Sequence, residues 1–207
     1  MSLRRVSAPL CALSLTLTVV APAFAVDGTI TINGEITDQT CKIEGKEPPH
    51  NFIVNLPKIS TSALKSVNDT AGATLFTIKV TDCPMALSGD IKAYFEPGPT
   101  TDYDKGYLYA YTEASAKNTP ETGIPDRSSA SKADNVSIQL INTDGTVIKM
   151  GAAVGEQGAL GQTLVNASEG SSKTATLRYL ARYIKSGEGA IKAGKLVSYV
   201  QYSIVYP

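Results

Sequence analysis

The 207-residue sequence contains no tryptophan, only three cysteines and a single histidine, and this scarcity limits its chemistry. A catalytic or metal-bound histidine needs a nucleophile or further ligands nearby. His50 lies instead beside Pro48 and Pro49, in a stretch without clustered carboxylates. We therefore expect no enzymatic activity, no metal and no other cofactor.

An excess of positive charge is also missing, because 19 lysines and arginines face 19 acidic residues. Two of the basic residues, Arg4 and Arg5, belong to an N-terminal segment that we expect to be removed. The remaining chain then carries 17 basic and 19 acidic residues, a net charge of about −2. No basic patch is present, so we expect no nucleic-acid partner, no anionic membrane surface and no small-molecule substrate.

No apolar stretch is long enough to span the roughly 30 Å hydrocarbon layer of a membrane. The most apolar one, Ala8 to Val20, follows two arginines and precedes Ala23-Phe24-Ala25. This order is typical of a secretory signal peptide rather than of a membrane anchor. We predict cleavage between Ala25 and Val26, which leaves 182 residues.

The cysteines indicate an oxidising compartment. Cys11 lies in the predicted signal peptide, so Cys41 and Cys83 remain as an even pair in an exported protein. One disulfide is the simplest prediction. The alternative, two ligands of a metal site, lacks partner residues.

Helical periodicity is hard to find, whereas the apolar–polar alternation of β-strands recurs along the chain. The predicted strands are Glu35 to Ile43, Thr74 to Cys83, Ile91 to Phe95, Val136 to Ile141, Val147 to Met150, Thr174 to Ile184 and Lys195 to Tyr206. Between them, Pro97 to Ser131 carries four tyrosines (Tyr103, Tyr107, Tyr109 and Tyr111) and is expected to form a surface hairpin. Six or seven strands spaced in this way predict an antiparallel immunoglobulin-type sandwich in one domain.

The segment from Val26 to Cys41 begins with alternating isoleucines, Ile30, Ile32 and Ile36. Such alternation predicts a strand with one face to bury. The strand could complete the protein's own sheet or be offered to another chain. At the other end, no hairpin partner follows the strand predicted for Lys195 to Tyr206, so we expect a sandwich that lacks a piece.

These features together resemble the major fimbrial subunits of the chaperone–usher pathway, in the type 1 pilin family. The likeness depends on D-G-T-I-T-I-N-G-E-I before the first cysteine and K-V-T-D-C at the second. It depends further on V-S-I-Q-L-I-N-T-D-G with the later L-A-R-Y, and on the final Y-V-Q-Y-S-I-V-Y-P. The run K-A-Y-F-E-P-G-P-T-T-D-Y is also similar to serotype-determining fimbrial subunits.

The resemblance implies an all-β, incomplete immunoglobulin-like sandwich that lacks its last strand and is completed by donor-strand exchange. It divides the chain into a signal peptide (1–25), a donor extension (26–36) and a pilin domain (35–207). The implied donor residues are Gly28, Ile30, Ile32, Gly34 and Ile36. Gly34 matches the family's glycine, and Gly28 departs from the usual larger apolar residue. The edge recognised by a chaperone would consist of Val200, Tyr202, Ile204 and Tyr206.

The implied partners are identical subunits in a homopolymer, a periplasmic chaperone, an outer-membrane usher, and a tip adhesin or minor pilins. The implied location is a cell-surface fimbria, reached through the periplasm, that supports cell adhesion. The alternative is a minor or adaptor pilin, or an adhesive subunit, that itself binds a host glycan through tyrosines 103–111. Tip adhesins carry a separate lectin domain and no donor extension, so the sequence favours the shaft subunit.

Overall fold

A computed structural model describes residues 30–37, 40–168 and 170–207, and strands dominate this part of the chain. The described strands are β1 Lys42–Ile43, β2 Thr70–Cys83, β3 Asp90–Glu96, β4 Thr101–Asp102, β5 Tyr107–Glu113, β6 Lys132–Asn142, β7 Val147–Ile148, β8 Gln162–Thr163, β9 Val165–Asn166, β10 Lys173–Lys185, β11 Lys195–Val197 and β12 Gln201–Val205. A 3₁₀ turn at Thr61–Ala63 begins at the N-cap Ser60. Within these ranges, no helix has the length and apolar character needed to cross a membrane.

The larger of two sheets has the order β1-β2-β10-β6-β5-β11, with β4, β7 and β9 added beside β5, β6 and β10. Its long strands β2 and β10 pair antiparallel, and Ile78 lies opposite Leu177. Both side chains are buried, whereas the adjacent Arg178 is exposed. A register shift of one residue would turn the apolar set outward, so burial fixes the pairing.

The smaller sheet has the order β12-β3-β8. Strand β3 presents Ile91, Ala93 and Phe95 to the interior, and all three are almost fully buried. They join the apolar face of the larger sheet in one hydrophobic core. Fully burying a side chain of this size stabilises the fold by about 1.5–3 kcal/mol, so the face-to-face packing of the sheets is the main source of stability.

The C-terminal segment, predicted as one strand from Lys195 to Tyr206, is in fact two strands in different sheets. Strand β11 pairs with β5 in the larger sheet, and β12 pairs with β3 in the smaller one. Ser198 lies at the crossing, where its hydroxyl donates a 2.8 Å hydrogen bond to the carbonyl oxygen of Tyr109. Alternation continues through the crossing, so the sequence pattern does not reveal it.

The tyrosine-rich segment forms the predicted hairpin, from β4 and β5, but its placement at the surface was wrong. Strand β5 lies inside the larger sheet between β6 and β11. Its Leu108 and Tyr111 are buried, Tyr107 and Tyr109 are half-buried, and Tyr103 is 60% exposed. Three of the four tyrosines therefore pack against the protein itself.

At the N-terminal end, the strand predicted for Glu35 to Ile43 is found, among the described residues, only at Lys42–Ile43, and residues 30–37 form no strand. The chain divides into two units after Ile36. The predicted signal peptide, its cleavage point between Ala25 and Val26, and the predicted donor residue Gly28 lie outside the described residues.

Candidate functional site

A disulfide joins Cys41, just before β1, to Cys83 at the end of β2, as predicted. Both cysteines are buried, and their Cα atoms lie 4.3 Å apart. The bridge closes a loop with a sequence separation of 42. The disulfide therefore anchors the chain just before β1 to the end of β2.

One edge of the smaller sheet is closed by side chains. Strand β8 pairs with β3 only at Asp90 and Ile91. Beyond that point the backbone of Phe95 bonds twice to the buried Gln157, whose Oε1 accepts at 2.9 Å and whose Nε2 donates at 2.8 Å. The backbone N–H of Ala93 donates to the Tyr179 hydroxyl at 3.1 Å. Both side chains thus replace a missing strand.

The opposite edge of this sheet is open. In the described part of the chain, β12 pairs with β3 and with no other strand. The sequence of β12, Q-Y-S-I-V, contains no charged residue and no proline, the residues with which proteins usually protect an edge. The four residues predicted to form a recognition edge lie here, half-buried against the core: Val200, Tyr202, Ile204 and Tyr206.

An extended segment, residues 50–57, lies across from this edge. It has no strand or bridge assignment, yet its Phe52, Val54 and Leu56 alternate and pack against the core. The Phe52 ring lies 5.9 Å from the Tyr202 ring and 6.0 Å from the Phe76 ring. We call the strip between β12 and residues 50–57 the terminal groove. A cleft of about 500 Å³ continues from this segment toward β2.

One hydrogen bond crosses the terminal groove, and a second joins Tyr206 to Cys41, outside residues 50–57. The Tyr202 hydroxyl donates to the carbonyl oxygen of His50 at 2.8 Å. The Tyr206 hydroxyl accepts from the backbone N–H of Cys41 at 3.2 Å. Burial raises the pKa of the Tyr202 phenol, and the negative charge of Glu44 raises it further. The Tyr202 hydroxyl therefore keeps its proton and remains a donor.

The isoleucines of the N-terminal segment are the most exposed large apolar side chains in the described residues. Ile30 and Ile32 are each 89% exposed, and Ile36 is 99% exposed. A Cβ added at Gly34 would meet no atom within 4 Å. The segment thus offers an apolar row that nothing in the described residues covers.

Sequence reasoning missed the second wall of the terminal groove. The alternation of Phe52, Val54 and Leu56 was the available signal, but prolines at 48, 49 and 57 bound it on both sides. Proline removes a backbone donor and is rare inside sheets. Residues 50–57 are therefore not among the strands predicted from the sequence.

Comparisons with known proteins show which family this chain is similar to. A family model described as "Type-1 fimbrial protein, A" matches residues 56–207. The serotype 3 fimbrial subunit of Bordetella pertussis is 48% identical over 200 residues, which is 95% of each chain. The serotype 2 fimbrial subunit of the same organism is 44% identical over 199 residues, covering 96% of this chain and 95% of that one.

Among solved structures, a chain from a chaperone–usher pilus covers 90% of this chain and 100% of its own length. The TM-score is 0.52 and the sequence identity is 18%, so this likeness concerns the fold. The prediction of an all-β, immunoglobulin-like fold is confirmed by this neighbour.

Proposed function

Because this chain belongs to the type-1 fimbrial protein family, we propose that its subunits polymerise head to tail, each donating residues 26–36 to the terminal groove of a neighbour. The chain is a fimbrial subunit of a chaperone–usher pilus and, like its family, a structural protein rather than an enzyme.

The observation that carries the proposal is that the chain has both an unpaired strand edge and an exposed apolar row. Strand β12 has an unprotected edge above a half-buried apolar face, and the N-terminal segment has three exposed isoleucines. An added strand would satisfy the backbone of β12 and bury alternate side chains. Ile30, Ile32 and Ile36 have the period-two spacing that such a strand requires.

The expected energetics favour a stable contact. Burial of each isoleucine contributes about 1.5–3 kcal/mol. Each new main-chain hydrogen bond adds a net term of about 0.5–1.5 kcal/mol. The donor and acceptor surfaces differ, so the contact is heterologous and builds an open filament rather than a closed dimer. This scheme assigns residues 1–25 to a signal peptide, 26–36 to the donor extension and 35–207 to the pilin domain, with Gly28 and Gly34 as the smallest donor positions.

The open edge also defines the expected partners. An apolar edge strand is an aggregation hazard until it is paired. We expect a periplasmic chaperone to cover Val200, Tyr202, Ile204 and Tyr206, and an outer-membrane usher to oversee replacement by the next subunit. Tip adhesins or minor pilins would join the same filament. The product is a homopolymeric surface fimbria that supports cell adhesion.

A glycan-binding role for this subunit has less support. Tyr111 is 1% exposed, and Tyr107 and Tyr109 are half-buried in the sheet. Tyr103 alone of the four is largely exposed, so the segment offers no extended aromatic platform for a sugar. The buried tyrosines favour the shaft role.

The experiment that tests the proposal removes residues 26–32 from the exported protein. The truncated subunit should fold, form its disulfide and accumulate with the chaperone in the periplasm, but it should form no filaments by electron microscopy. Adding back a synthetic peptide with the sequence of residues 26–36 should displace the chaperone and yield a stable one-to-one complex. Filaments of normal length from the truncated subunit would rule out donation by this segment.

A further inference from the structure

The N-terminal segment contains the only asparagine–glycine pair of the sequence, Asn33 and Gly34. The backbone nitrogen that follows an asparagine can attack the side-chain amide carbon and close a succinimide ring. A following glycine favours this attack, because it has no Cβ to shield its nitrogen and its backbone moves freely between conformations. Asn33 and Gly34 are both exposed and belong to no strand. The pair therefore combines a reactive sequence with an accessible backbone.

No contact in the described part of the chain restrains this pair. Neither residue has a hydrogen-bond partner among the described residues, and a Cβ added at Gly34 would meet no atom within 4 Å. Pairing within a sheet would change this, because a paired strand holds the backbone dihedral angles of both residues in the extended range. The attack is therefore open to an unpaired extension and is hindered in a paired one.

A second exposed pair ending in glycine, Asp144 and Gly145, shows how the same chain prevents this reaction. The N–H of Gly145 donates to the carbonyl oxygen of Asn142 at 3.0 Å. The Asp144 carboxylate accepts from the hydroxyl and from the backbone N–H of Thr146, at 2.6 and 2.9 Å, and these bonds lower the pKa of Asp144. An ionised carboxylate resists nucleophilic attack. Both restraints found in this turn are missing at Asn33 and Gly34.

We propose that Asn33 and Gly34 form a self-modification site, which limits the time for which an unassembled subunit can donate its extension. The Gly34 nitrogen loses its proton and bonds to the side-chain carbon of Asn33, and the bond from that carbon to the amide nitrogen breaks, which releases ammonia. Water then opens the succinimide and leaves aspartate or isoaspartate at position 33. This chemistry depends on the two residues alone, whereas its effect on assembly rests on the proposed function.

The two products affect a donated strand differently. Aspartate leaves the backbone unchanged, and position 33 alternates with Ile32 and Gly34, so its side chain lies on the face turned away from the groove. Isoaspartate leads the main chain through the former side chain and adds one backbone carbon. Ile32 and Ile36 then lose their common face, as they would in a shifted register. Isoaspartate, rather than the added charge, is therefore the product that blocks donation.

The first test measures conversion of Asn33 in unassembled subunits and in filaments. Both are incubated at mildly alkaline pH, digested, and analysed by mass spectrometry for deamidation and isoaspartate. Asn118 is the internal control, because it is exposed but is followed by Thr119, whose branched side chain shields the nitrogen. Conversion of Asn33 in unassembled subunits should be about tenfold faster than in filaments and than at Asn118, since a paired strand must open before it reacts. Similar rates in the two states, or at the two asparagines, overturn the inference.

The second test separates the backbone change from the charge. Fluorescent peptides copy residues 26–36 with asparagine, aspartate or isoaspartate at position 33, and their binding to full-length mature subunits is followed by anisotropy. The aspartate peptide should bind within about twofold of the asparagine peptide, and the isoaspartate peptide about tenfold more weakly, the effect of one isoleucine left unburied. Equal binding of these two products overturns the inference. If even the asparagine peptide does not bind, the proposed function fails, while the first test still decides the chemistry.

Asn33→Gln provides a matched chain, because the longer glutamine side chain cyclises far more slowly and keeps the amide. Unmodified subunits stored until Asn33 is largely converted should lose most of their capacity to form filaments, as seen by electron microscopy. Asn33→Gln subunits stored for the same time should retain it. Equal loss in the two proteins overturns the inference.

Discussion

The backbone N–H of Ala93 in β3 donates a hydrogen bond to the hydroxyl of Tyr179 in β10 at 3.1 Å, and this bond joins the two sheets. The same hydroxyl donates to the carbonyl oxygen of Leu160 at 2.9 Å. The Tyr179 ring also packs edge-on against Phe95, with 5.3 Å between the ring centroids. One side chain therefore fills the core and satisfies two backbone groups at a sheet edge.

Replacing Tyr179 by phenylalanine should lower the free energy of unfolding by about 1–3 kcal/mol, because the Ala93 N–H would be left buried and unsatisfied. Urea unfolding of the purified subunit measures the loss. Tyr103→Phe, at a largely exposed ring, serves as the control and should change stability by less than about 0.5 kcal/mol. Similar losses in the two variants would contradict a specific role for the buried hydroxyl.

Gln157 offers a related test, because its amide replaces a strand beside Phe95. Gln157→Leu retains volume but removes both hydrogen bonds, so we expect a loss of about 2–6 kcal/mol, twice the value for one unsatisfied group. The variant should also aggregate more readily, since a second edge of the smaller sheet becomes unpaired. Light scattering during refolding detects this. A soluble variant with full stability would show that the edge needs no such partner.

The disulfide should contribute roughly 4 kcal/mol by restricting the unfolded chain, according to the loop-entropy relation for a separation of 42. Cys41→Ser combined with Cys83→Ser should therefore lower the unfolding midpoint and the periplasmic level of the subunit. Treating the unmodified protein with a reductant in denaturant should reproduce the effect. Titration of two free thiols in the exported native protein would contradict the bridge.

Ile32→Asp should prevent filament formation without destabilising the subunit that carries it. Ile32 is 89% exposed in its own chain, so the substitution costs the folded domain little. In a neighbour's groove the aspartate would be a buried, unpaired charge. Val165→Asp, at another exposed apolar position, is the matched control. Electron microscopy should show filaments for the control and none for Ile32→Asp.

Alternation in the sequence predicted the long strands well because each presents one face to the core. Ile78 in β2 and Leu177 in β10 are buried at the positions that a period of two requires. The segment Pro97 to Ser131, which contains β5, was expected to form a surface hairpin. Tyr111 is in fact buried, and the guanidinium of Arg127 lies 5.8 Å from its ring centroid. Whether such a segment lies inside a sheet or at the surface depends on its pairing with strands distant in sequence, and the local sequence does not show that pairing.

The candidate site was predictable in part. The inward set on β12 follows from alternation, and Val200, Tyr202, Ile204 and Tyr206 share one face of the core as expected. The opposing wall around Phe52 was not predicted, because it is extended without being paired and is bounded by prolines. The hydrogen bonds from Tyr202 to His50 and from Cys41 to Tyr206 join residues 152 and 165 positions apart, which no local pattern encodes.

The pairing of β12 with β3 sets an order of events while the chain is being synthesised. Gln201 pairs with Glu96 and Val205 with Lys92, and β12 follows all other described strands along the chain. A chain that emerges from its N-terminus presents β3 long before β12 arrives. Until then Phe95 lacks the strand beside it, and the smaller sheet cannot close. Folding is therefore timed by the last of the described strands to emerge, because the smaller sheet is complete only when β12 pairs with β3.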